Sequence, residues 1–190
     1  MFVQAGGLRM RVGRVGAGRP LLLITGIGAH LDMWAPFARL MAGRELIAFD
    51  PPGAGLSQRP RFPLRMKGLA EVVRELLDAL ELECVDVLGY SFGGAIAQEL
   101  ARRAPDRVRR LVLCATAPGL GGTPPRPLAA LMLATPVRYY HPRLLALTLP
   151  FIAGGDTARD QGVLPEQARE RLLGPPDPIG YAWQLYAVTG

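Results

Sequence analysis

Asp86-Val87-Leu88-Gly89-Tyr90-Ser91-Phe92-Gly93-Gly94 is the stretch that decides how this chain folds. An apolar run, Val85–Leu88, leads into Gly89-x-Ser91-x-Gly93, and a helical pattern over Phe92–Arg103 follows, stopping at Ala104-Pro105. A serine between two such glycines marks a sharp strand-to-helix turn. Glycine at both flanks lets strand and helix pass closely, and the turn pushes the serine Oγ outward. The helix start also offers unpaired N–H groups to a developing oxyanion. The chain has only two serines, Ser57 and Ser91, so a chance match to this spacing is rare. Ser91 is the candidate nucleophile, Gly89 and Gly93 are the elbow glycines, and the Phe92 N–H is one candidate oxyanion donor.

Outward from the elbow, short apolar runs alternate with helical patterns. Pro20–Thr25 is continuously apolar, as a strand buried on both faces should be. Glu45–Phe49 reads as a strand closed by the turn Asp50-Pro51-Pro52-Gly53, and Val108–Ala115 as another strand. Phe2–Val15 reads as a hairpin turning at Gly6-Gly7. Trp34–Met41 reads as a short helix. Leu69, Val72, Val73, Leu76, Leu77 and Leu80 form one apolar helical stripe. This alternation over residues 1–117 predicts an α/β fold with a mostly parallel, doubly wound sheet. Prolines then recur from Pro118 to Pro178, with helical patterns at Leu128–Ala134, Arg138–Leu147 and Pro165–Leu173 and no strand. Residues 118–190 read as a separate Pro-rich segment of short helices.

Thr25-Gly26-Ile27-Gly28 follows the strand Pro20–Thr25, where a second oxyanion loop belongs, with the Ile27 N–H as donor. Asp50 and Ser57 read as turn-formers. Asp50 precedes the serine, against the order nucleophile, acid, histidine that goes with this elbow. His30 and His141 are the only histidines, and neither follows a late strand. Asp106 and His141 have the right order, but Asp106 precedes its strand and so lies at the wrong end of the sheet. Asp156, Asp160 and Asp177 lack a strand to anchor them. The triad acid and base are therefore expected beyond residue 190.

Other chemistries are not supported. No phosphate-binding loop, dinucleotide fingerprint or metal-ligand spacing occurs, so neither a cofactor nor a metal is expected. The net charge is +6, yet the arginines are spread along the chain, which argues against a nucleic-acid surface. No signal-peptide core or run long enough to span a bilayer is present, and a cytoplasmic protein is expected. Cys84 and Cys114 should be buried, reduced thiols, one starting a strand and one ending its neighbour, too far apart to bridge.

The runs Leu21–Ile27, Phe49–Ser57 and Asp86–Gly94 resemble the α/β-hydrolase superfamily. More narrowly, Ala134–Tyr140, Gly154-Gly155-Asp156 and Gly180–Leu185 resemble the lid of intracellular poly(3-hydroxyalkanoate) depolymerases, over nearly the whole chain from Leu21 to Gly190. The resemblance implies an α/β-hydrolase fold with a helical lid, and hydrolysis of a carboxylic ester in a polyester store through a Ser91 acyl-enzyme. An ester substrate, and the surface of a polyester granule, would be its partners; oligomeric state is left open. Such enzymes carry their acid and histidine on two strands past the lid. Phe92 stands where the resembling sequences often have Trp, a position that contributes only its backbone N–H. Two other readings stay open: a non-catalytic remnant acting as a binding module, and a hydrolase of small esters or lactones. The 190 residues alone should show little esterase activity, and strand Val108–Ala115 should expose an apolar edge.

Overall fold

The computed structural model describes residues 1–119, 127–141, 143–145, 147–148 and 174–189. Among the described residues six strands form one sheet: β1 (Phe2–Ala5), β2 (Leu8–Gly16), β3 (Arg19–Ile24), β4 (Arg44–Phe49), β5 (Val85–Tyr90) and β6 (Val108–Cys114). Their order is β1-β2-β4-β3-β5-β6. β2 runs antiparallel to its neighbours β1 and β4, and the pairs β4/β3, β3/β5 and β5/β6 are parallel. The predicted hairpin turns at Gly6-Gly7, where φ is +59° and +68°, the left-handed pair that matches strand twist.

Five α-helices accompany the sheet among the described residues: α1 (Ala35–Leu40), α2 (Met66–Ala79), α3 (Phe92–Arg103), α4 (Pro127–Leu133) and α5 (Pro178–Val188). The predicted stripe of α2 is buried throughout, Leu69 to Leu80. It packs with α3 and one face of the sheet around Leu22, Ile24, Ile47, Val87 and Ile96. Alternate strand residues point the other way, as pleating requires. Leu21, Leu23, Leu46 and Ala48 meet Leu31, Trp34, Phe37 and Met41 on the α1 side. Parallel strands covered on both faces account for the continuous apolar run at Leu21–Ile24.

Three expectations needed adjustment. The pattern Arg138–Leu147 is not one helix: Pro136–Tyr139 is a 3-10 turn, and helical residues resume at 143–145. Helix α5 forms where the sequence pattern predicts no element. The expected helix Pro165–Leu173, with Asp156 and Asp160, lies outside the described residues. Both cysteines are unbridged, as expected, but neither is buried: Cys84 is exposed and Cys114 half-buried. β5 begins only at Val85, which leaves Cys84 in the turn after α2, and Cys114 ends the edge strand. That edge exposes Leu111, Val112 and Leu113, matching the expectation for β6.

A buried charge ties the amino ends of the strands together. Asp86, 5% exposed, accepts hydrogen bonds from Arg44 on β4 and Arg109 on β6. Burial raises its carboxyl pKa, but these two hydrogen bonds outweigh it and hold the group below its ordinary value. A depressed carboxylate contributes stability above its unfolded pKa, and the contribution is lost as pH falls through the folded one. Asp86→Ala is therefore expected to cost about 2 kcal/mol at neutral pH. The deficit should shrink as acid titrates Asp86 in the parent chain. Urea unfolding of both chains across acid and neutral pH checks this; a deficit independent of pH would contradict it.

Candidate active site

The parallel strands deliver their loops to one end of the sheet. β3 ends in Thr25-Gly26-Ile27, β4 in Asp50, β5 in Ser91 and β6 in Ala115. The chain leaves β3 for β4 on one side and β5 takes the other side, so the crevice between the β3 and β5 loops is a topological switch point.

Ser91 occupies this crevice at φ +53° and ψ −117°, one of three non-glycine residues with positive φ among the described residues. Such a conformation costs on the order of 1–3 kcal/mol and persists only where its surroundings hold it. Here the Ser91 N–H donates to the Cys114 carbonyl at 2.9 Å, and the Ser91 carbonyl accepts from the Gly94 N–H at 2.9 Å. The glycines supply the clearance. A Cβ on Gly89 would lie 2.6 Å from the Gly94 Cα, and one on Gly93 would lie 2.2 Å from the Ile24 carbonyl oxygen. Phe92 is the first residue of α3, so its N–H has no acceptor within the helix.

Ile27, Phe92 and Ser91 line one cleft of about 1060 Å³ among the described residues. Its other walls are mainly apolar: Met66, Ala95, Leu133, Leu185 and Val188. The β3 loop abuts the elbow directly, since a Cβ on Gly26 would lie 3.5 Å from the Ser91 Cβ. The three residues singled out in the sequence are thus brought together.

Asp50 bonds across its own turn, as expected of a turn-former, whereas Ser57 corrects the expectation: its hydroxyl bonds the backbone of β2 and not nearby turn backbone. Asp50 is fully buried and accepts from the Leu31 N–H at 2.7 Å and the Leu56 N–H at 2.8 Å. The Ser57 Oγ accepts from the Arg11 N–H at 2.8 Å. Asp106 lies in the 3-10 turn before β6, at the opposite end of that strand from the elbow. Asp177 caps α5, accepting from the Gly180 N–H at 2.8 Å and pairing with Arg59.

Neither histidine lines the cleft. His141 is exposed, and His30 is buried with Nδ1 3.1 Å from Asp32. The described residues include no cluster of side chains able to hold a metal ion.

Segments after residue 117 supply contacts that the sequence did not reveal. Gln184 on α5, 2% exposed, accepts from the Gly28 N–H at 2.8 Å. Tyr139 donates to the Ile27 carbonyl at 2.9 Å. The buried Arg138 guanidinium donates to the Tyr181 hydroxyl oxygen at 2.9 Å, and the Tyr181 hydroxyl donates to the Leu133 carbonyl at 2.7 Å. Burial pushes the Tyr181 phenol upward, against the pull of Arg138. Gly28, at φ +69°, has no room for a side chain, because its Cβ would meet the Tyr181 ring at 2.8 Å.

Residues 19–168 match the family model described as alpha/beta hydrolase fold. The chain is 41% identical over 172 residues to a poly(3-hydroxyalkanoate) depolymerase of Ectopseudomonas oleovorans, covering 90% of this chain and 60% of that protein. It is 41% identical over 117 residues to a 2-hydroxy-6-oxo-2,4-heptadienoate hydrolase of Pseudomonas putida, covering 59% of this chain and 42% of that one. The chain therefore spans less than two thirds of the length of these curated relatives. A crystal structure of a hydrolase from Pseudomonas aeruginosa superposes with a TM-score of 0.77 at 28% identity, covering 99% of this chain and 71% of the other. The sheet order, the elbow and these likenesses agree, and the chain belongs to the alpha/beta hydrolase fold family.

Proposed function

We propose that this chain carries the nucleophile, oxyanion hole and lid of a serine hydrolase of carboxylic esters, with a medium-chain polyester or its oligomers as substrate. The observation that carries the reading is Ser91, held at positive φ at the head of α3 and lining an apolar cleft with Ile27 and Phe92. In this reading the Ser91 Oγ attacks the ester carbonyl, a base carries its proton to the leaving oxygen, and the alcohol departs. An acyl-enzyme forms, and water then releases the acid. The N–H groups of Ile27 and Phe92 stabilise the tetrahedral oxyanion. Met66, Leu133, Leu185 and Val188 receive the apolar acyl chain. The similarity to the depolymerase supports the polyester. No helix of the described residues is long and apolar enough to cross a membrane.

A second reading has one observation in its favour. Neither histidine lines the Ser91 cleft, which suits a binding module that keeps the pocket without the reaction.

A p-nitrophenyl ester series from acetyl to octanoyl, with imidazole added as an external base, separates the two. The ester-hydrolase reading expects octanoate esters to be preferred by about tenfold or more, since each buried methylene contributes about 0.8 kcal/mol. Ser91→Ala should abolish the turnover above the imidazole background. A rate that is flat along the series, or unchanged in Ser91→Ala, would contradict the hydrolase reading.

A further inference from the structure

One peptide unit in the β3 loop is held at both ends by side chains from far along the chain. The Ile27 carbonyl and the Gly28 N–H belong to the same planar amide. The carbonyl accepts from the Tyr139 hydroxyl at 2.9 Å, and the N–H donates to the Gln184 Oε1 at 2.8 Å. Both side chains are buried, and each comes from a different segment after residue 117: Tyr139 from the 3-10 turn Pro136–Tyr139, Gln184 from α5.

The direction of each hydrogen bond is set by its surroundings. The Arg138 guanidinium lies over the Tyr139 ring and has an N–H 3.4 Å from the Tyr139 oxygen. Arginine can only donate, so the Tyr139 proton is left for the Ile27 carbonyl. The Gln184 amide faces the Gly28 N–H with its oxygen and the Pro52 carbonyl with its nitrogen, at 3.5 Å. That places the same side chain between the β3 and β4 loops.

Pinning this amide bears on the one before it. The Gly26 carbonyl accepts from the Ala29 N–H at 3.2 Å. In a trans peptide the N–H points opposite to the carbonyl, and no peptide among the described residues is cis. With the Gly26 carbonyl turned toward Ala29, the Ile27 N–H is directed away from that turn. The torsions between the two amides are those of Ile27 itself. Fixing both planes fixes where the donor points.

We propose that Tyr139 and Gln184 are positioning residues that complete the oxyanion hole, so that the Ile27 N–H is aligned only while the turn Pro136–Tyr139 and helix α5 are docked on the β3 loop. This rests on the reading of Ile27 and Phe92 as the oxyanion donors. Phe92 is aligned by α3 and needs no such help, so the two donors respond differently to loss of the clamp.

The test uses the whole chain and needs no turnover. Sodium octanoate, a carboxylate with an apolar tail, is titrated into 15N-labelled protein while backbone amides are followed by NMR. In the parent chain the Ile27 and Phe92 amide protons are expected to move downfield together. In Tyr139→Phe, which removes one oxygen and keeps the ring, and in Gln184→Leu, the Phe92 response should persist and the Ile27 response should be lost. Exchange of the Gly28 amide should quicken roughly tenfold in Gln184→Leu, the loss of one hydrogen bond. If Gln184→Leu does not fold, Tyr139→Phe decides. An Ile27 response unchanged in the variants overturns the clamp and leaves the oxyanion reading standing. A parent chain in which neither Ile27 nor Phe92 responds overturns that reading, and the clamp with it.

Discussion

Gly93→Ala is expected to lower the thermal midpoint by roughly 10 °C. A Cβ at this position would lie 2.2 Å from the Ile24 carbonyl oxygen and 2.5 Å from the Thr25 carbonyl oxygen. Both atoms are backbone at the end of β3, so no side-chain rotation relieves the clash, and α3 must lift from the strand. Overpacking of a tight interior costs about 1–3 kcal/mol, and backbone contacts put this case at about 3 kcal/mol or above. In a domain of this size each kcal/mol moves the midpoint by about 2–4 °C. Gly7→Ala is the matched control: a Cβ there meets nothing within 4 Å, and only its φ of +68° opposes the change. That should cost about 1–2 kcal/mol. Thermal unfolding followed by circular dichroism compares the two. Equal losses would mean that the elbow is not as closely packed as the structure shows.

The second large effect concerns reactivity. The ester-hydrolase reading needs a base beside Ser91, and neither His30 nor His141 lines its cleft. A hydroxyl without a base is a weak nucleophile at neutral pH, and loss of a triad base lowers turnover by about 10⁴-fold or more. The 190-residue chain is thus expected to hydrolyse p-nitrophenyl octanoate at least about 10⁴-fold more slowly than a triad-bearing esterase. Adding imidazole should recover part of the deficit in the parent chain and none of it in Ser91→Ala. Turnover near that of a complete triad without added imidazole would contradict this expectation.

Much of the architecture was legible because its signals are local. Gly89-x-Ser91-x-Gly93 is a steric requirement written within five residues, and the Leu69–Leu80 stripe is a periodicity within one helix. Asp50 was legible as a turn-former for the same reason, whereas the Ser57 hydroxyl bonds the Arg11 N–H far along the sequence, which no local pattern shows. Helix α5 was missed although Asp177-Pro178 carries both a cap and a favoured first residue. Its apolar residues, Ile179, Tyr181, Trp183, Leu185 and Val188, run around the helix and present no single stripe. Cys84 was placed in the core because it adjoins an apolar run, but the strand begins one residue later. The contacts of Tyr139 and Gln184 with the β3 loop bridge 112 and 156 residues of sequence. No local pattern announces them, since a buried tyrosine or glutamine has the same spacing whether or not it grips a distant peptide.

The most direct test of the account is covalent labelling of Ser91. The chain is incubated with a fluorophosphonate, with and without imidazole, and the adduct is located by peptide mass spectrometry. Ser57 is the only other serine and is buried with its Oγ bonded to the Arg11 N–H, so it serves as an internal control. The account predicts an adduct on Ser91 alone, forming slowly in the parent chain, faster as imidazole is added, and absent in Ser91→Ala. An unlabelled Ser91 at high imidazole, or labelling spread equally over Ser57 and Ser91, would contradict it.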